Sequence, residues 1–146
     1  MGVEVIGIDH IYLAVRDLSR SEAFYDPVMA LLGFRNAAEP LGGEPHVFYY
    51  NRDLTLALRP ARGGPDHDRF APGLHHLCLR VEDDVAVDQA HDELCALGVD
   101  ATRPRLYPEY APDYYATFFS DPDAIRLEIT NFREERRRRA HEWESS

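Results

Sequence analysis

Strict alternation of apolar and polar residues marks three segments of the chain as β-strands. They are residues 8–15, 75–81 and 125–130, and the last runs Ile-Arg-Leu-Glu-Ile-Thr. Successive side chains of a strand point to opposite faces, so each segment has one core face and one second face. In the last segment the second face carries Glu128 in mid-strand. Either that face is open to water, or Glu128 points into a cavity and meets a cation, because a buried carboxylate without a partner is strongly destabilising.

The first two of these strands are each followed by an amphipathic helix pattern that stops at a glycine. The helices are predicted to end at Gly33 and Gly98, which lie 65 residues apart. Ser19 and Asp84 are the predicted N-caps, the former within a capping-box pattern. After each helix, the pattern predicts a short strand and then two longer ones. The chain therefore contains an internal repeat of the order strand–helix–strand–strand–strand.

This repeat predicts an α+β fold of two βαβββ modules, pairing their sheets into a cup-shaped half-barrel. Module one spans about residues 5–59 and module two about residues 74–132. A linker rich in turn-forming residues, 60–73, joins them, and a tail, 133–146, follows as a short helix. Neither half has enough strands to bury a core alone, so the sheets must pair, within one chain or across a dimer. We treat residues 1–146 as a single domain.

Composition narrows the possible functions. The formal charge of −10 argues against nucleic acid and against a membrane surface as partners, and would suit a cationic ligand. All sixteen basic residues are arginine, so no lysine is present for Schiff-base chemistry. Cys78 and Cys95 form neither a disulfide framework nor a zinc-finger spacing. With no signal-like or membrane-spanning run in the sequence, the expected location is cytoplasmic.

Alternation places His10, His76 and Glu128 on the second faces of three strands. His76 lies 66 residues after His10, so the two histidines hold equivalent positions in the two halves. A single histidine on a strand is usually a satisfied polar residue. Two at equivalent positions, with a carboxylate on a matching face, instead indicate a metal site, since two imidazoles and one carboxylate hold catalytic zinc or non-haem iron.

The same parity gives candidates for the cavity lining and for catalysis. Arg126 either binds a substrate carboxylate or pairs with Glu128 as an ion pair. Cys78 is either a metal ligand or a small apolar residue, and the aromatic candidates could equally serve in packing. The predicted substrate-binding residues are Tyr12, Phe48, Tyr50, Cys78, Phe118 and Arg126, and the catalytic candidates are Tyr114 and Arg126.

Four segments, residues 9–15, 24–34, 73–77 and 118–128, together resemble the vicinal oxygen chelate superfamily. That group includes glyoxalase I, methylmalonyl-CoA epimerase, extradiol dioxygenases, fosfomycin-resistance transferases and bleomycin-resistance proteins. The resemblance covers about residues 6–132. It implies two βαβββ modules around a metal, usually in a dimer, and we expect a homodimer here.

The resemblance also implies roles for individual residues. His10, His76 and Glu128 match the metal ligands of these families. Glyoxalase I and the epimerase have a fourth ligand, whose position an offset of 70 from Glu128 places at Leu58. Leucine cannot ligate, which speaks against both activities and favours a dioxygenase or a fosfomycin-type transferase. Those enzymes commonly have a tyrosine ten residues before the glutamate, where this chain has Phe118, and Tyr114 is the candidate replacement.

The expected function is therefore a metal-dependent enzyme that acts on a small oxygenated organic molecule. A divalent zinc, nickel, manganese or iron ion would chelate the substrate and act as a Lewis acid. The reaction would be that of a lyase, isomerase, transferase or dioxygenase. The alternative is a metal-free protein that binds a drug or metabolite, as bleomycin-resistance proteins do, and a third possibility is an inactive member that keeps the fold.

Overall fold

The computed structural model describes residues 2–145, which form two compact units. The first unit ends at His67 and the second begins at Asp68, a boundary that falls inside the predicted linker. The elements of the first unit are β1 (His10–Val15), α1 (Leu18–Leu31), β2 (Arg35–Leu41), β3 (Glu44–Tyr50) and β4 (Thr55–Pro60). Those of the second are β5 (Leu77–Val81), α2 (Asp84–Ala96), β6 (Arg105–Leu106), β7 (Tyr115–Ser120), β8 (Arg126–Asn131) and α3 (Glu134–Ser145).

Each unit contains one four-stranded mixed sheet, and the two sheets have the same topology. The strand orders are β1-β4-β3-β2 and β5-β8-β7-β6. In both, the first and last strands of the module pair in parallel and the other pairs are antiparallel. The predicted α+β fold of two βαβββ modules is thereby confirmed.

In the first unit, one face of the sheet is apolar and is covered by α1. Leu58 and Val15 of the sheet are fully buried, as is Tyr25 of the helix. The rings of Tyr25 and Tyr49 lie 6.1 Å apart, and the Tyr49 hydroxyl donates a 2.6 Å hydrogen bond to Oδ1 of Asp26 on α1. The helix is therefore held on the sheet by both packing and a charge-assisted hydrogen bond.

In the second unit, α2 covers the corresponding face. Ile129 of β8 and Leu94 of α2 are fully buried. Polar contacts accompany this packing, since Asp88 accepts a 2.6 Å hydrogen bond from the Tyr115 hydroxyl. The C-terminal helix α3 is tied to the same unit by Arg137, whose Nη2 donates to the Glu82 backbone carbonyl at 2.7 Å.

Both predicted helix N-caps are wrong by one or two residues. The N-cap of α1 is Asp17, whose Oδ1 accepts from the Arg20 backbone N–H at 3.1 Å, not Ser19. The N-cap of α2 is Asp83, whose Oδ1 accepts from the Ala86 N–H at 2.9 Å. In both helices an aspartate precedes the predicted cap and takes the capping role, which suits its short acceptor side chain.

Candidate functional site

A buried carboxylate–histidine pair lies on the sheet face of the second unit that α2 does not cover. Glu128 is in the middle of β8, paired with Cys78 on one side and Phe118 on the other, and is 2% exposed. His76 precedes β5, and its Nε2 lies 3.1 Å from Glu128 Oε1. Glu128 is therefore buried although no helix covers its face, and the expected cation beside it stays a prediction.

The second oxygen of Glu128 is held by Tyr114. The Tyr114 hydroxyl donates a hydrogen bond to Oε2, so both carboxylate oxygens have a polar partner. Partial desolvation and this hydrogen bond both raise the pKa of the Tyr114 hydroxyl, because ionisation would place two negative charges side by side. Tyr114 is therefore a neutral donor to Glu128 near pH 7.

Cys78 lies beside Glu128 in the neighbouring strand. Desolvation of the thiol, and then the negative charge of Glu128, raise the pKa of Cys78 to about 12. A thiol in this state keeps its proton at neutral pH, whereas metal ligation requires the thiolate. Both roles expected for Cys78, metal ligand and small apolar residue, stay predictions.

Arg126 stacks on an aromatic ring. Its guanidinium carbon lies 4.8 Å from the ring centroid of Phe118, a cation–π distance. No ion pair joins Arg126 to Glu128 in the part of the chain that the structure describes. The substrate-binding role of Arg126 stays a prediction.

These residues line an open cleft of about 670 Å³, a volume typical of small-molecule sites. One wall is a cluster of aromatic rings, with Tyr107 lying 5.4 Å from Phe118 and 5.7 Å from Tyr110. The cleft lining comprises Arg69, Phe70, His75, His76, Arg105, Tyr107, Tyr110, Tyr114, Phe118, Arg126 and Glu128. Five of the six predicted second-module residues, His76, Tyr114, Phe118, Arg126 and Glu128, therefore line the cleft, and Cys78 does not.

Sequence reasoning missed Arg133, a buried arginine behind Tyr114. Arg133 is 8% exposed, and its guanidinium carbon lies 4.3 Å from the Tyr114 ring centroid. Its Nη1 makes only long contacts, at 3.5 Å to Thr130 Oγ1 and 3.4 Å to the Asn131 carbonyl, and its Nε has no hydrogen-bond partner within residues 2–145. Arg133 follows the last strand, where strand parity gives no signal.

On the first unit, the predicted residues share the sheet face opposite α1. Tyr12 and Phe48 both pair with Ala57, and His10 and Tyr50 both pair with Thr55. The buried His46, which sequence reasoning left unassigned, stacks on Phe48 at 5.9 Å and meets the Tyr12 ring at 5.8 Å. The register therefore groups His10, Tyr12, Phe48 and Tyr50 on one face, as alternation predicted.

His10 and His76 have one feature in common: the Nδ1 of each is engaged by the preceding residue. Nδ1 of His10 lies 2.7 Å from Asp9 Oδ2, and Nδ1 of His76 lies 2.7 Å from His75 Nδ1. In metal-binding histidines, a partner at Nδ1 orients the ring and directs Nε2 to the metal. Nε2 of His76 lies against Glu128 here. Within residues 2–145, no three His, Cys, Asp or Glu side chains are gathered into a group that could hold a metal ion.

The assignment of the fourth-ligand position to Leu58 is wrong. Leu58 pairs with Leu13 and Val47 and is fully buried on the face that α1 covers. The register equivalent of Glu128 is Ala57, because both are flanked by the corresponding residues of the neighbouring strands. A constant offset failed here, since a shift of one residue moves a strand position to the opposite face. Alanine also has no ligating atom.

A family model described as the glyoxalase/bleomycin resistance protein/dioxygenase superfamily matches residues 7–129. The chain belongs to this superfamily. The match runs from just before β1 into β8 and so spans both modules. The resemblance stated from the sequence motifs is confirmed.

Similar proteins agree with this assignment. The uncharacterised protein YqjT of Bacillus subtilis (strain 168) is 29% identical over 124 residues, covering 82% of this chain and 94% of the relative. A glyoxalase/bleomycin resistance protein/dioxygenase domain from Frankia sp. EAN1pec is 25% identical with a TM-score of 0.73, covering 89% of this chain and 100% of that one.

A third similar structure contains a metal. It is a variant of the fosfomycin resistance protein FosX from Listeria monocytogenes, complexed with Mn(II) and 1S,2S-dihydroxypropylphosphonic acid. It is 20% identical with a TM-score of 0.68, covering 92% of this chain and 98% of that one. At this level of identity, the similarity shows only that the two proteins share a fold.

In the present chain, none of the helices within residues 2–145 has the length and apolar character needed to cross a membrane.

Proposed function

We propose that this protein is a metal-dependent enzyme that acts on a small oxygenated organic molecule, with His10, His76 and Glu128 as the metal ligands. The metal is a divalent zinc, nickel, manganese or iron ion. Nitrogen and carboxylate oxygen donors of this type suit each of these ions. The Mn(II) bound to FosX is in line with a divalent metal in a protein of this fold.

The observation that carries the proposal is the convergence of His76 Nε2 on the buried Glu128, at 3.1 Å. Burying a carboxylate this completely is unfavourable unless cationic or hydrogen-bonding groups compensate it. His76 also has its Nδ1 occupied, which leaves Nε2 and the carboxylate as the donor pair. The donor set therefore fits a divalent metal, and the Asp9-oriented His10 supplies the third ligand in our proposal.

When bound, a divalent ion supplies Lewis-acid stabilisation of negative charge on substrate oxygen atoms. The chain's own residues then perform the remaining tasks. The neutral Tyr114 hydroxyl donates its one hydrogen to Glu128 and so orients that carboxylate, while its oxygen can accept a hydrogen bond from the substrate. Arg126 binds an acidic group of the substrate, and Phe118, Tyr12, Phe48 and Tyr50 supply apolar contact surface.

Elemental analysis of the protein, purified without chelator, tests this proposal. We expect about one divalent metal ion per chain in the wild type, with loss of the metal in His76→Ala and Glu128→Gln. The matched control is His141→Ala, since His141 is exposed on α3. A wild-type protein that neither contains nor takes up metal, or a His76→Ala variant with unchanged metal content, would refute the ligand assignment.

The alternative function is metal-free binding of a drug or metabolite. The aromatic wall formed by Tyr107, Tyr110 and Phe118 favours it, since such surfaces bind flat apolar ligands without further chemistry. The overall negative charge gives it less support than the sequence suggested, because three arginines line the cleft beside one carboxylate. Ligand binding that is unaffected by His10→Ala and by chelator, in a protein without metal, would establish this alternative.

We further propose a homodimer in the cytoplasm. Cys78 and Cys95 are free thiols, which suits a reducing compartment. Light scattering coupled to size-exclusion chromatography tests the dimer directly, and a mass of about 16.7 kDa would instead indicate the single chain.

A further inference from the structure

The cleft of the second unit has a charge opposite to that of the whole chain. The chain carries a formal charge of −10, yet the cleft is lined by Arg69, Arg105 and Arg126. The only carboxylate in its lining is Glu128, and both oxygens of Glu128 are already engaged by His76 and Tyr114. The local field in the cleft therefore favours an anion.

All three guanidinium groups are held in the same way, on the face of an aromatic ring. The guanidinium carbon of Arg105 lies 3.8 Å from the ring centroid of Tyr107, and that of Arg126 lies 4.8 Å from that of Phe118. Arg69 lies 4.9 Å from Phe70. Stacking uses the flat face of a guanidinium and leaves its in-plane N–H groups available for hydrogen bonds.

None of these N–H groups is neutralised by an acidic side chain. Within residues 2–145, Arg69, Arg105 and Arg126 form no ion pair. Arg105 Nη1 donates a hydrogen bond to the Leu106 backbone carbonyl, at 2.9 Å, which leaves its charge without an acidic partner. Some other arginines of the described chain are, by contrast, paired with a carboxylate, as Arg59 and Arg62 are with Glu44.

Arg105 and Arg126 flank a pair of rings in contact. Tyr107 and Phe118 meet edge to face, with centroids 5.4 Å apart, and each carries one of the two guanidinium groups. This arrangement places an apolar surface next to two planar, positively charged guanidinium groups. A carboxylate can accept two parallel hydrogen bonds from one guanidinium group, and an aromatic ring of the ligand can pack on the two protein rings.

We propose that this cleft binds an aromatic carboxylate, with Arg126 and Arg105 holding the carboxylate and the Tyr107–Phe118 pair contacting the ring. The inference rests on the proposed function, since it takes the cleft of Glu128 as the substrate site. It adds the substrate class, an aromatic acid, and it adds Arg105 as a specificity-determining residue. Arg69 contributes long-range attraction.

Calorimetric titration of the full-length protein tests the proposal, with benzoate as the probe. Benzamide is the neutral analogue of the same shape, and inorganic phosphate is the anion without a ring. We expect saturable benzoate binding that weakens as salt is added, with benzamide and phosphate at least roughly tenfold weaker. Equal binding of benzamide would overturn the role of charge, and equal binding of phosphate would overturn the role of the ring.

Arginine variants locate the binding to this cleft. Arg126→Gln and Arg105→Gln are each expected to weaken benzoate binding by roughly tenfold, since each removes charge-assisted hydrogen bonds. Arg103→Gln is the matched control, because Arg103 lies two residues before Arg105 and does not line the cleft. Benzoate affinity that is unchanged in both cleft variants, relative to this control, would overturn the assignment.

The same titration is repeated on protein stripped of metal with chelator and on His76→Ala. Arginine-dependent benzoate binding that persists in both preparations supports the anion subsite irrespective of the metal content. If the wild type proves free of metal and still binds benzoate through Arg126, the metal proposal fails and the subsite stands. If metal is present and benzoate does not bind, the subsite fails and the metal proposal stands.

Discussion

The hydrogen bond from Tyr114 to Glu128 makes a measurable contribution to the stability of the second unit. Tyr114→Phe keeps the ring, and with it the stacking on Arg133 at 4.3 Å, and removes only the hydroxyl that donates to Glu128. Hydrogen bonds to a charged group contribute about 1.5–3 kcal/mol. Because Tyr114 is only half-buried, we expect the free energy of unfolding to fall by about 1–2 kcal/mol in metal-free protein.

Urea unfolding followed by far-UV circular dichroism measures this loss. With a urea dependence near 2 kcal/mol per M, the unfolding midpoint should fall by about 0.5–1 M. Tyr110→Phe is the matched control: Tyr110 belongs to the same ring cluster, with its centroid 5.2 Å from that of Tyr114, and is 63% exposed. Identical midpoints for the two variants would refute the view that the hydroxyl stabilises the buried carboxylate.

Three further predictions concern stability and reactivity. Tyr49→Phe removes the hydrogen bond to Asp26 and should lower the free energy of unfolding by about 1–2 kcal/mol in the same urea assay. Hydrogen bonds from two arginines lower the pKa of Glu44, so its stabilising effect is present above the usual value of 4.5 and is lost as pH falls through the lower folded value. The difference in thermal midpoint between wild type and Glu44→Gln should therefore vanish in acid, and a pH-independent difference would contradict this. In a metal-free Cys95→Ser background, Cys78 should react with iodoacetamide at pH 8 at least about tenfold more slowly than free cysteine, because desolvation and the negative charge of Glu128 raise its pKa. Mass spectrometry follows the alkylation, and a rate equal to that of free cysteine would contradict the raised pKa.

The parts of the fold that follow strand periodicity were predictable from the sequence. In β8, alternation predicted the burial of Leu127 and Ile129 on one face and singled out Glu128 on the other. The same reasoning grouped Tyr12 with Phe48, which share Ala57 as register partner. A period of two is a local property, so it is readable without knowledge of the tertiary structure.

Positions that depend on register between strands were less predictable. The offset of 70 correctly matches Phe48 to Phe118, because each pairs with its module's equivalent position in the last strand. Phe48 and its partner Ala57 are separated by one residue fewer than Phe118 and its partner Glu128. The same offset of 70 therefore selected Leu58 in place of Ala57. Turn length sets this difference, and a single residue reverses the face to which a side chain points.

Loop residues were not predictable at all from periodicity. Arg69, Arg105 and Arg133 lie outside the long strands or at their ends, and they meet the cleft or Tyr114 through the path of the backbone. Each stacks on an aromatic ring, and the sequence separation between the arginine and its ring differs from one pair to the next. The role of His10 as a metal ligand likewise stays a prediction, whereas the contact between His76 and Glu128 is visible in the structure.

The contrast between net charge and cleft charge bears on what this protein binds. A net charge acts at long range and is screened within about 10 Å at ordinary salt, so it influences encounter and solubility. The groups within a cleft decide which ligand remains bound, because their interactions are short and less screened. Within residues 2–145, Arg105 and Arg126 form no ion pair and both oxygens of Glu128 are engaged, so we expect the cleft to bind an acid even though the chain as a whole is acidic. Attraction of a cationic ligand, which the composition suggested, is therefore opposed at the site itself.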